Sequence, residues 1–410
     1  MLLTIHFARL GPYHLARLRS ACEVLAPLGW RVVALEIAGA DATYEWEQES
    51  GGGGQWERVT VFPDRVFEKI PAGEMKRGIV RELDRLRPDA VAIAGWGTVD
   101  ARACLDWCKR NDAKAIVMSE TRAADGRRVW WKEWVKSRIV RRFDAALCGG
   151  ESHKRYLVQL GMPEGRIALG YNVVDNDFFK SRTADCGTWI DGSYFLASNR
   201  FVERKNLGRL LEGYKIFQDS VFRIQGAEKT GVWPLVLLGD GELRGELEAR
   251  CAELGLKIAM GFPHEGAGST EGQNLKLNSY KLKTPAGGGC VVFAGFRQIG
   301  ELPSFYAGAG AFVHPALEEP WGLVINEAMA SGLPVLSSRN VGAAEELVVE
   351  GETGFLFDPG DVNSIAESLF KMFSMSEPAR HKMGVEAREM LERKVPSRAF
   401  GEGLAKVLGA

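Results

Sequence analysis

Short apolar runs rich in valine, isoleucine and alanine recur along this chain with amphipathic stretches between them. That alternation is the pattern of βα units on a parallel sheet. In the first half the runs fall at 2–8, 31–37, 90–94, 115–119 and 145–148; in the second they fall at 194–198, 235–239, 291–295, 311–315 and 335–337. A chain of 410 residues exceeds what one hydrophobic core ordinarily serves. Two doubly wound α/β halves are expected, with domains over 1–180 and 190–395 and a break between Asn172 and Asp191, where a polar stretch containing Thr183, Asp185 and Gly187 suits an exposed hinge. A helical pattern over 379–394 is followed by Pro396 and a last helix, about 396–410, expected to leave the second domain and pack on the first.

Bulk properties exclude several classes. The 52 basic and 53 acidic residues give a net charge of −1, so no global field selects nucleic acid. The apolar run that starts the chain has no basic leader and passes directly into Arg9, so it reads as a first strand rather than a signal peptide. No apolar run approaches the roughly 20 residues of a membrane-spanning helix. The seven cysteines are odd in number and lack metal-site spacing, and Cys104 and Cys108 read as packing residues of one helix. With six scattered histidines, no metal site is expected, and a reducing, cytoplasmic setting fits. Segments 49–55 and 261–289, rich in Gly and polar residues, read as surface loops, the second as an inserted hairpin, a flap or a disordered loop.

The most informative segment follows the run at 311–315. There Glu319 sits in a loop, Gly322 opens a helix, and Glu327 lies about one and a half turns into it. Ligands of open α/β sheets bind outside the carboxyl ends of strands, and a helix N-terminus offers unpaired N–H groups to an anion. In this reading the helix start receives a diphosphate, Glu327 accepts from ribose hydroxyls and Glu319 from sugar hydroxyls. The plain alternative is a solvated helix glutamate and a loop charge, and for an isolated E-x7-E spacing it would prevail.

The surrounding residues shift that balance. The run EPWGLVINEAMASGLPV from Glu319 to Val335, followed by GETGFLF from Gly351 to Phe357, closely resembles the retaining glycosyltransferases of family 4. NRFVERKN from Asn199 to Asn206, LGDGE from Leu238, FAGF from Phe293 to Phe296 and NVVD from Asn172 extend the likeness over most of the second half and more weakly over the first. The resemblance implies a GT-B fold of two Rossmann-like domains facing a central cleft, with donor nucleotide on the C-terminal domain and acceptor on the N-terminal one. It implies that Arg200 and Lys205 hold the diphosphate, Glu327 the ribose and Glu319 the donor sugar, with the amides at Gly322, Leu323 and Val324 assisting. Base recognition is expected in the loop around Gly295, Phe296 and Arg297, a core role being the alternative for Phe296. UDP-sugars are the commoner donors of such a family, with GDP-sugars also used.

In the first half, the loop RLGPYH from Arg9 keeps one glycine, Gly11, of the pair that in the family touches donor phosphates. His14 either faces the acceptor or makes local bonds at a helix start. Glu120, Thr121 and Arg122 stand where many relatives have a histidine, and Glu120 is a second acceptor candidate. From Arg127 to Phe143 the chain reads as a basic helix bearing Trp130, Trp131 and Trp134. It is expected to pack its tryptophans on the domain core with its basic residues solvated; weak peripheral contact with anionic lipid is the alternative.

The expected activity is transfer of a sugar from a nucleoside-diphosphate-sugar to a hydroxyl of a sugar, lipid-linked or small-molecule acceptor, as in cell-surface polysaccharide or glycoconjugate synthesis. Configuration would be retained, with Glu319, Arg200 and Lys205 at the reacting centre and neither metal nor cofactor. A nucleotide-sugar epimerase of the same architecture and a non-catalytic sugar-nucleotide sensor are the alternatives, since fold alone excludes neither.

Overall fold

The computed structural model describes residues 1–41, 46, 56–186, 190, 192–225, 231–259 and 289–410. The loop expectations for 49–55 and, apart from Gly289, for 261–289 lie outside these residues. Chain contacts divide the protein into two units, Met1–Asp175 with Val395–Ala410, and Asn176–Lys394.

The first unit runs β1 (Leu2–Phe7), α1 (Pro12–Leu25), β2 (Arg31–Ala40), β3 (Glu57–Val66), α2 (Ala72–Leu86), β4 (Ala90–Ala94), α3 (Val99–Arg110), β5 (Lys114–Ser119), α4 (Trp130–Val140), β6 (Ala145–Cys148), α5 (Glu151–Gln159) and β7 (Ile167–Leu169). The second runs α6 (Asn176–Asp185), β8 (Phe195–Ser198), α7 (Leu207–Gln225), β9 (Leu235–Leu238), α8 (Arg244–Glu253), β10 (Lys257–Ala259), β11 (Cys290–Gly295), α9 (Leu302–Ala307), β12 (Ala311–His314), α10 (Leu323–Ala330), β13 (Val335–Ser338), α11 (Gly342–Leu347), β14 (Gly354–Phe357), α12 (Val362–Ser374) and α13 (Glu377–Lys394). The chain's last helix is α14 (Ala399–Leu408).

Among the described residues each unit holds one seven-stranded parallel sheet, in the orders β3-β2-β1-β4-β5-β6-β7 and β10-β11-β9-β8-β12-β13-β14. All ten apolar runs read from the sequence are strands. The four strands they omit, β3, β7, β10 and β14, are the four sheet edges. Central strands such as β1 and β6 are buried at every position. Edge strands are short or carry charge, as in Glu57, Arg58, Asp64 and Arg65 of β3, because one side faces solvent. Residues 176–185, within the stretch from Asn172 to Asp191 where a break is expected, form helix α6, which buries Asn176 and Phe179.

In each order the strand direction of winding reverses at one place, between β1 and β4 and between β8 and β12. Loops leaving the carboxyl ends of strands flanking such a switch point diverge and leave a crevice for ligand. Gly11 and His14 follow β1; Arg200 and Lys205 follow β8; Glu319 follows β12.

Helix α14 belongs to the first unit, packing on α1 and β7. Phe400 and Leu404 are fully buried there, each burial contributing about 2 to 3 kcal/mol. Close approach depends on glycine: a Cβ on Gly401 would stand 2.2 Å from the Ser20 carbonyl oxygen, and one on Gly403 2.4 Å from that of Leu169. The Gly401 amide also donates to Ser20 Oγ at 3.0 Å. Gly401→Val should therefore lower stability by roughly 1 to 3 kcal/mol or more through overpacking, read as a fall in the thermal midpoint; an unchanged midpoint would show that α14 docks loosely.

Candidate functional site

In the second unit the segment after β8 forms a short 3-10 turn, Glu203–Lys205, ended by Asn206 in the left-handed region at φ 57°, a conformation asparagine tolerates better than most residues. Asn206 Nδ2 donates to the carbonyls of Pro315 at 3.1 Å and Pro359 at 2.8 Å, and the Leu317 amide donates to the Arg204 carbonyl at 2.9 Å. These bonds tie the β8 loop to the β12 loop. On its other side the β12 loop is held by the Gly342 amide, which donates to the Glu319 carbonyl at 3.0 Å.

Within this frame Glu319 and Lys205 meet. Lys205 Nζ donates to Glu319 Oε2 at 2.5 Å, and Arg204 Nη1 donates to the same oxygen at 2.8 Å. Lys205 is buried and the Glu319 side chain nearly so. Burial alone would push the Glu319 carboxyl up, but the Lys205 ammonium beside it, with Arg204, holds it below the usual carboxylate range. Arg200 is exposed and close enough for its charge to act on Lys205.

Gly322 caps α10 with φ 98°, a value that L side chains rarely adopt, and an added Cβ would lie 3.1 Å from Val341 Cγ1. The Ile325 amide turns back to the Gly322 carbonyl at 2.9 Å. The amides of Leu323 and Val324 belong to the first turn, whose N–H groups have no intrahelical acceptor. Glu327, far from being a solvated helix residue, has 0% exposure, and the Tyr306 hydroxyl donates to its Oε2 at 2.7 Å. Phe296 is half-buried just beyond β11, whose last residue, Gly295, accepts from the Gly239 amide, and it lies outside the apolar core of this unit.

Three residues of this site had no signal of their own in the sequence. Arg204 stands beside the paired Arg200 and Lys205, Tyr306 supports Glu327 from α9, and His314 ends β12 at full burial beside Gly322. Both ring nitrogens of His314 lack a hydrogen-bond partner. Burial first and the Lys205 cation second lower its pKa to about 3.

In the first unit, the Leu10 amide donates to Glu36 Oε1 at 2.7 Å and the Gly11 amide to His14 Nδ1 at 2.9 Å. His14 thus makes the local bonds of a helix start, a reciprocal of the usual capping arrangement. With Nδ1 accepting, the ring carries its proton on Nε2. Burial, then the Arg17 cation, lowers its pKa to about 3. The one retained glycine therefore has no amide to offer a phosphate. Glu120 is exposed just past β5, and its charge reaches the Tyr171 hydroxyl.

The expectation for the basic helix is overturned. Trp130, Trp131 and Trp134 are 82%, 51% and 53% exposed, and Val140 alone in α4 is buried. The face turned inward is the polar one: Glu133 accepts from the Tyr156 hydroxyl at 2.7 Å and from Lys136 at 2.8 Å, leaving the indoles outside. Arg138 lies 3.9 Å over Trp134 and Lys132 5.5 Å over Trp131.

Comparison with known proteins places this geometry. Residues 17–178 match the family model "Glycosyltransferase Family 4" and residues 267–390 match "Glycosyl transferases group 1". The chain belongs to glycosyltransferase family 4. A sulfoquinovosyl transferase of Arabidopsis thaliana is 42% identical over 105 residues, 25% of this chain and 20% of that protein. The capsular polysaccharide biosynthesis glycosyltransferase CapM of Staphylococcus aureus is 36% identical over 108 residues, 26% of this chain and 28% of that one. These matches thus span about a quarter of the relatives' length or less. Over the whole chain, the fold is that of GT-B glycosyltransferases: Anabaena HepE, solved with UDP and glucose, has a TM-score of 0.67 at 15% identity, covering 100% of this chain and 99% of that one. WaaG, of lipopolysaccharide biosynthesis, has a TM-score of 0.61 at 14% identity, covering 100% of each.

Buried His314 generates a pH prediction. The unfolded chain takes up a proton near pH 6.5, whereas the folded site does not until about pH 3. Stability should fall as pH drops from about 6.5, by up to about 1.4 kcal/mol per pH unit for this one group. Denaturant unfolding at pH 7 and pH 5 should show a smaller pH loss in His314→Leu than in wild type; equal slopes would show that His314 is protonated in the folded chain.

Proposed function

We propose that the protein transfers a sugar, with retention of configuration, from a nucleoside-diphosphate-sugar to a hydroxyl acceptor. A UDP-sugar is the favoured donor and a GDP-sugar the second choice. The observation that carries this reading is the gathering of Arg200, Arg204, Lys205 and Glu319 against the Gly322 start of α10, at the carboxyl ends of the two strands flanking the switch point. That HepE was solved with UDP and with UDP-glucose supports the donor class.

In this reading the diphosphate lies at the first turn of α10, where the Leu323 and Val324 amides and the helix dipole meet it. Arg200 and Lys205 stabilise the charge that grows on the leaving oxygen as the glycosidic C–O bond breaks. The acceptor oxygen attacks from the face the diphosphate leaves, and its proton passes to the departing phosphate. Glu319, kept ionised by Lys205 and Arg204, accepts from hydroxyls of the sugar and fixes it for that attack. Glu327 accepts from the ribose, its carboxylate oriented by Tyr306.

Arg200→Ala and Lys205→Ala should each remove a charge-assisted contact of about 1.5 to 3 kcal/mol and lower turnover roughly ten- to a hundredfold. A donor panel followed by nucleoside diphosphate release measures this, with thermal unfolding as control because Lys205→Ala removes a buried partner of Glu319. Near-normal turnover in both variants would sink the diphosphate assignment. Slow donor hydrolysis with no transfer to any acceptor would sink the transferase reading.

Peripheral contact with anionic lipid through α4 is the second part of the proposal, supported by the exposed indoles. Val135 and Arg138 are exposed on the helix with them, and its one acid, Glu133, is turned inward. Indoles prefer the interface, and each basic residue near an anionic surface adds about 1 kcal/mol. Flotation with phosphatidylglycerol vesicles should capture the protein at low salt, and Trp130→Ser with Trp134→Ser should reduce capture; no capture of wild type would remove the idea.

A further inference from the structure

Three cationic side chains are buried among the described residues: Arg17, Arg122 and Lys205. Two have a carboxylate. Arg122 pairs with Asp125 at 3.0 Å and Lys205 with Glu319. Arg17, in the second turn of α1 and 4% exposed, pairs with no carboxylate among the described residues. Its Nη2 donates a long bond of 3.3 Å to Asn172 Oδ1, its guanidinium lies 4.2 Å over the Tyr171 ring, and its buried Nε has no acceptor. A buried charge without a counter-charge is destabilising by several kcal/mol, and a guanidinium with a free edge matches the two oxygens of a phosphate or carboxylate.

Arg17 has ionisable groups within reach of its charge. Its charge reaches His14 one turn earlier, and with Glu120 it acts on the Tyr171 hydroxyl. These four residues come from α1 and from the segments leaving β5 and β7, so they collect at the carboxyl ends of the first sheet, where ligands of such sheets bind. The turn before α1 is not a phosphate cradle, since the Leu10 and Gly11 amides are committed to Glu36 and His14. Among these groups the Arg17 guanidinium is the one that carries the positive charge an anion needs.

We propose that Arg17 anchors an oxyanion, phosphate or carboxylate, carried by the hydroxyl acceptor, seated over Tyr171 beside His14 and Glu120. The inference deepens the transferase reading and rests on it: the acceptor is an anionic compound such as a sugar phosphate or an acidic sugar.

Calorimetric titration of the full chain with inorganic phosphate, run with and without saturating UDP, tests it in wild type, Arg17→Gln and Arg17→Lys. Wild type should bind phosphate saturably in both conditions, Arg17→Gln at least tenfold more weakly, and Arg17→Lys in between. Circular dichroism melts show whether each variant is folded, and the lysine variant keeps the test alive should the glutamine variant not fold. No phosphate binding by wild type, or equal binding by wild type and the folded variants, overturns the proposal. UDP titration is the second arm. Loss of UDP affinity in Arg17→Gln in parallel with phosphate would assign the anion to the donor and overturn the acceptor assignment. Failure of wild type to bind UDP while it binds phosphate through Arg17 would count against the donor reading and leave the anion site standing.

Discussion

A charge removed from water must be met by another charge or by several hydrogen bonds, and the arrangement of both units turns on how that requirement is satisfied. In the second unit it is satisfied internally. Lys205 is carried into the interior by a 3-10 turn and lies against Glu319, brought there by a different loop, and Arg204 closes the carboxylate from the exposed side. The two loops must keep their positions for the pair to survive, which explains the bonds from Asn206 to Pro315 and Pro359 and from Gly342 to Glu319. The pair and these loop bonds hold one another in place.

Much of this was legible in the sequence, because the central strands of a sheet covered on both faces must be apolar throughout. Runs such as those at 90–94 and 145–148 have no other use in a chain of this composition. Edge strands escape the same reading. β3 carries Pro63, Asp64 and Arg65 because half of it faces water, and β10 is three residues long. The residues of the Glu319 segment were legible through their motif, but their supports were not. Tyr306 comes from α9, well before Glu327 in the chain, and Arg17 meets Tyr171 across more than half the length of the first unit. Single residues brought together by topology leave no spacing to read.

Helix α4 shows where pattern reading misleads. Three tryptophans at 130, 131 and 134 lie within one arc of a helix, and an apolar arc is ordinarily the buried one. Here the opposite arc carries Glu133 and Lys136, and both bond to the Tyr156 hydroxyl, whose ring is buried. A satisfied polar cluster fixes the helix as firmly as an apolar stripe does, and it decides which face turns out.

The two sheets share a winding pattern yet differ in how a buried glutamate is held. In dinucleotide-binding folds a carboxylate following the first glycine loop by about 20 residues accepts from ribose. The first unit has a carboxylate so placed, Glu36, but it is wholly buried and fully engaged: Oε1 accepts from the Leu10 amide, and Oε2 from Arg58 at 2.7 and 3.0 Å and from Thr60 at 2.8 Å. Spent on fixing its own loop, Glu36 has nothing left for a ribose. In the second unit the Tyr306 hydroxyl donates to the buried carboxylate of Glu327, a contact that orients a carboxylate without neutralising it. The two halves thus give one buried carboxylate different partners, a guanidinium and a backbone amide in the first and a tyrosine hydroxyl in the second.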